Sequence, residues 1–131
     1  MPTPQEERNE RPPAEGEAPA PLHADRLTWA VLLGRWVDFA RGAVGLPGNT
    51  EGTRMRESVP DIIMLQAVWF SLQHLHELAP PERALGIARA DVLIEKHELE
   101  LRQRWSKRLP EKIAELIAEA REKLAAAADG E

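Results

Sequence analysis

The sequence predicts an all-α, four-helix bundle-like single domain with a nearly fully buried second helix and a disordered N-terminal tail. Three observations carry this. Apolar residues recur at helical spacing in four segments, and no segment alternates as a strand does. The run Ser58 to Ala79, SVPDIIMLQAVWFSLQHLHELA, is apolar on almost every side, and such a helix must be surrounded by other helices or by a partner chain. Residues 1–22 combine Pro2, Pro4, Pro12, Pro13, Pro19 and Pro21 with Glu and Arg, a composition too poor in apolar side chains to offset the entropy of ordering.

The first helix is expected from about Asp25 or Thr28 to Ala43, opening the helical domain of residues 23–131. Trp29, Leu32, Leu33, Trp36, Val37, Phe39, Ala40 and Ala43 share its apolar face, with Arg35, Asp38 and Arg41 opposite. Gly34 and Gly42 fall on the outer side, where they relieve no core crowding. Close contact with another chain is one reading and simple tolerance of glycine the other. A connection rich in glycine follows, from Val44 to Glu57.

The second helix is expected over residues 58–79, with Ser58 as N-cap, Asp61 three positions later and Pro60 in the first turn. Ala79-Pro80-Pro81 stops it and starts the third, over residues 81–105. That helix is two-sided. Leu85, Ala88, Val92 and Leu99 form one stripe; Ile87, Ile94, Leu101 and Trp105 form another, roughly opposite. Pro110 interrupts the pattern, and a fourth helix over 110–127 presents Ile113, Leu116, Ile117, Ala120, Leu124 and Ala127 on one face. Short links favour antiparallel neighbours.

Composition excludes several function classes. The chain has 131 residues, enough for one domain and one core. Its 30% charged and 43% hydrophobic residues are the balance of a soluble globular protein. A net charge of −5 argues against a dedicated nucleic-acid binder. The absence of cysteine removes disulfides, thiolate metal sites and thiol nucleophiles, and fits a reducing, cytoplasmic setting. The absence of Tyr removes a tyrosine acid or nucleophile. No apolar run of about 18 residues offers a membrane span, and the N-terminal residues lack the basic-then-apolar pattern of a secretory signal.

No catalytic template fits. His74 and His76, two apart on a helix, diverge too far to share one metal ion, and His97 beside Glu100 and Arg104 reads as surface. No Glu-x-x-His pair of the di-iron type occurs, and no triad spacing identifies a nucleophile. Asp91, Glu95 and Glu98 read as a solvated edge. The polar wedge Gln66, Gln73 and Glu77 is read as the wet strip of helix two. Pointing inward, with His74 and His76, it becomes a candidate pocket. Arg54 and Arg56, after a glycine-rich connection and before a helix start, are a candidate anion site. Arg102, Arg104, Lys107, Arg108 and Lys112 surround Trp105, which suits a helix C-terminus, or the binding of RNA, an acidic membrane or an acidic protein.

The expected function is therefore a non-enzymatic helical protein–protein interaction or self-association module, without cofactor, metal or catalytic residues, whose partner is another protein or a second copy in a homodimer. Ile87, Ile94, Leu101 and Trp105 are the candidate interface, with Trp105 as anchor. The alternative is a small-molecule-binding protein or enzyme with a pocket between helices.

Overall fold

A computed structural model describes residues 27–43 and 52–130. The N-terminal tail 1–22 and the connection 44–51 lie outside the described residues. Four helices make up the fold: α1 (Trp29–Ala43), α2 (Gly52–Gln73), α3 (Pro80–Arg104) and α4 (Glu111–Gly130), with a single 3-10 turn, Leu75–Glu77, between α2 and α3. The architecture is all-α, and no strand occurs among the described residues. None of the described helices is long and apolar enough to cross a membrane.

The second helix is the hub. It packs against α1, α3 and α4, while α1 and α4 scarcely touch. Leu65, Ala67 and Val68 are fully buried, and Leu72 nearly so. Trp69 is only half-buried, with the Lys123 ammonium of α4 5.9 Å from its ring centre.

Helix α2 starts six residues before the expected Ser58 cap, at Gly52, whose positive φ of 72° suits glycine. Pro60 therefore lies inside the helix rather than in its first turn. It leaves the Arg56 carbonyl without its usual helical donor. Tertiary contacts outweigh that cost. Met55 packs against the core, and the Arg54 guanidinium lies 5.0 Å from the centre of the Trp105 ring. Ser58, fully buried, turns its hydroxyl back onto the Arg54 carbonyl (2.8 Å) instead of capping. At the other end, α2 stops at Gln73, and the chain tightens into the 3-10 turn with Leu75 and Leu78 buried.

Helix α1 is fixed at its start. Thr28 Oγ1 accepts from the Val31 N–H (3.2 Å), an N-cap bond. Glu82 of α3 reaches across to accept the Trp29 N–H (2.8 Å). The Trp29 ring is 2% exposed and lies directly on Gly86 of α3. Further along, Trp36 stacks on Phe70 of α2 (4.9 Å, 16°), Phe39 meets both rings edge-on, and the His74 ring lies 4.6 Å from Trp36.

The α3 stripe expected as the interface lies inside the bundle. Ile94 and Leu101 are fully buried and Ile87 packs against the same core. Leu85, Val92 and Leu99 are 38%, 66% and 53% exposed. The candidate interface is thus the stripe that faces α2 and α4, and the other stripe faces water. Both recur at helical spacing, so periodicity alone does not rank them.

Candidate interaction surfaces

Helices α1 and α3 meet closely only near Trp29 and Gly86; beyond that an apolar groove of about 660 Å³ separates them. Its α1 wall is Ala30, Leu33, Gly34 and Val37, and its α3 wall Val92 and Leu93, with Asp38 and Arg89 on the lips. A Cβ built on Gly34 meets nothing within 4 Å, so that stretch of α1 backbone is open to approach. Leu85 and Leu99 stand one heptad before and after Val92 and prolong the apolar α3 wall.

Trp105 is not an outward anchor. Its indole Nε1–H donates to Ser58 Oγ (3.0 Å) and its ring carries Arg54. Around that bond lies a buried polar cluster joining α2 to α3. The Asp61 side chain is 7% exposed and accepts from His97 Nδ1 (2.7 Å) on one oxygen and from an Arg104 guanidinium nitrogen (2.8 Å) on the other. The hydrogen bond to a carboxylate requires the proton of His97 on Nδ1. His97, expected at the surface, has a side chain only 13% exposed. None of these residues lines the α1–α3 groove or the α2–α4 groove. The cluster pins one helix to another.

The remaining candidates do not form one pocket. Gln73 and His74 line an open groove of about 530 Å³ with Lys123, Ala126 and Ala127 of α4, Gln66 lines a smaller groove of about 340 Å³ between α2 and α4, and Glu77 pairs with Arg35 of α1 (3.2 Å). His74 donates from Nδ1 to the Phe70 carbonyl (2.8 Å), and His76 is exposed. Because α2 ends before them, their rings tilt together at 5.9 Å instead of diverging as on a regular helix. Among the described residues no group of three or more His, Cys, Asp or Glu is placed to hold a metal ion. Arg54 and Arg56 lie in the first turns of α2, and Arg56 donates to Thr53 Oγ1 (3.3 Å).

Asp91 and Glu95 are exposed, but Glu98 joins α3 to α4, bonded by Arg102 (2.8 Å) and Arg121 (2.8 Å). Burial alone raises its carboxyl pKa; the two guanidinium groups outweigh burial and hold it below the ordinary 4.5. A lowered pKa stabilises the fold above the unfolded-state value, and that contribution disappears as pH falls through the folded-state value. Arg102 and Arg121 are 58% and 43% exposed, so the effect is small, below about 1 kcal/mol. Glu98→Gln is expected to cost this much near neutral pH and nothing once the wild-type carboxyl is protonated, as read by urea unfolding across pH. A penalty that grows as pH falls contradicts the assignment.

No known protein family, curated protein or solved structure matches this chain.

Proposed function

We propose that this chain is a non-enzymatic helical interaction module that docks an apolar helix in the α1–α3 groove, and that the occupant is a second copy of itself. The observation that supports it best is Val92, 66% exposed in the middle of an apolar groove wall. Burying such residues on association contributes about 25 cal/mol per Å² removed from water. The ridge Leu85, Val92 and Leu99 has the seven-residue spacing of a helix-packing seam. It borders a groove whose other wall is apolar, Leu33 and Val37, and opens at Ala30 and Gly34, where little side-chain bulk stands in the way. A twofold axis puts each ridge against the other copy's groove, the self-complementary arrangement of an isologous dimer.

Sedimentation velocity over rising concentration tests this. The wild type is expected to shift from monomer to dimer, and Val92→Glu to remain monomeric with unchanged helical content, because residue 92 contributes little to the core. A wild type that stays monomeric into the high micromolar range overturns the self-association reading. A groove of this volume also falls among small-molecule sites, roughly 300–1,000 Å³. A low-molecular-mass ligand retained in native mass spectrometry would favour that alternative.

A further inference from the structure

Two basic features that lie far apart in sequence meet at one end of the bundle. The start of α2, the end of α3 and the start of α4 converge there. Arg54 lies over Trp105, Trp105 bonds Ser58, and Met55 and Lys112 line the same α2–α4 groove. Lys107 and Arg108 belong to the link between α3 and α4. Arg54, Arg56, Lys107, Arg108 and Lys112 are all exposed at this pole, and among the described residues none of them has an ion-pair partner. Glu57 and Glu111 are the exposed carboxylates interspersed with them. Arg104, by contrast, is spent on the buried Asp61. The N-termini of α2 and α4 bring two positive dipole ends to the same pole, against the one negative end of α3.

We infer that this pole is a docking site for a short acidic protein segment carrying an apolar side chain. The cations supply the attraction, in a protein whose net charge is −5. Beside Lys112 the α2–α4 groove, floored by Met55, Ile62 and Leu116, offers a slot of about 340 Å³ for one apolar side chain.

Two observations favour an acidic peptide over a nucleic acid or an anionic bilayer. Single-stranded nucleic acid is held by free aromatic faces on which bases stack. Trp105 is the aromatic residue of this pole, and Arg54 and Ser58 already engage it. An extended polyanion that runs along the groove also meets Glu115 and Glu119, which line it on α4. A short segment avoids them when its apolar side chain is at one end, seated beside Met55 and Lys112, and its acidic residues run back over Lys107 and Arg108. The site shares no residue with the α1–α3 groove and does not depend on self-association.

Fluorescence anisotropy with a labelled Glu-rich peptide of about ten residues, carrying one terminal Leu, tests the inference against the full chain at physiological salt. The wild type is expected to bind it, with affinity falling steeply as salt rises. The triple variant Arg56→Glu, Lys107→Glu, Arg108→Glu is expected to lose at least about tenfold in affinity, since like charges at an interface are strongly disfavoured. Lys96→Glu, an exposed cation of α3 that lines neither groove, is expected to bind as the wild type does. Replacing the terminal Leu of the peptide by Ser is expected to weaken binding severalfold. Circular dichroism confirms that each variant is folded. Absence of wild-type binding, equal binding by the triple variant, or indifference to the Leu overturns the proposal. So does tighter binding of single-stranded DNA or phosphatidylserine vesicles than of the peptide.

Discussion

Asp61→Ala is expected to lower the unfolding free energy by about 3–5 kcal/mol, the scale for removing one partner of a buried ion pair. The loss is not simply that of two hydrogen bonds. Arg104 keeps its charge with its side chain 22% exposed, its short carboxylate contact is gone, and Glu57 at 3.9 Å is a poor substitute. His97 Nδ1 also loses its acceptor. Urea denaturation of Asp61→Ala, Arg104→Met and the double variant separates these terms. The double variant is expected to be more stable than the sum of the two single losses implies, because an unpaired charge is then no longer left behind. A loss below about 1 kcal/mol for Asp61→Ala would place the pair in the range of solvated surface bridges instead.

Gly86→Ala is expected to destabilise by about 1–3 kcal/mol, despite alanine's better helix propensity, because the site is already filled. A Cβ there meets Trp29 Cε3 at 2.6 Å, with two further ring atoms at 3.1 and 3.2 Å. The ring is stiff and buried, and its backbone N–H is tied to Glu82, so it cannot swing aside cheaply. Gly34→Ala is the control. Its Cβ enters open space on α1, and the substitution is expected to be neutral or stabilising by up to about 1 kcal/mol in the monomer. Thermal unfolding of the two variants side by side checks both signs. A neutral Gly86→Ala would mean that Trp29 has another low-energy rotamer available.

Helical periodicity was enough to find four helices and to put the second at the centre, because Leu65, Ala67 and Val68, all fully buried, and Phe70, stacked on Trp36, project from different sides of α2. It was not enough to tell which α3 stripe faces inward. Ile94 and Val92 are both aliphatic, and only the position of α1, splayed from α3 beyond Trp29, leaves Val92 in water. The polar cluster was missed because Asp61 and His97 are 36 positions apart and meet only through packing. A signal existed. His97 and Arg104 are seven apart and project on the same side of α3 as Ala90 and Leu101, so they border the core stripe rather than the solvent edge. The start of α2 failed for a different reason. Ser58, Pro60 and Asp61 have the composition of a helix cap, and the contacts of Arg54 and Met55 with distant residues override it. The convergence of Arg54 and Arg56 with Lys107, Arg108 and Lys112 follows from the antiparallel course of α2 and α3, which no local pattern records.

With α1 and α4 scarcely touching, thermodynamic communication between them has to run through α2, or through α3 by way of Trp29 and Glu98. Substitutions on the outer helices therefore fall in the additive regime, where separate effects sum, while changes on α2 are felt on both flanks at once. The groove wall on α1 and the α4 side of the basic pole can consequently diverge independently. The hub that separates them is the part of the chain least free to change.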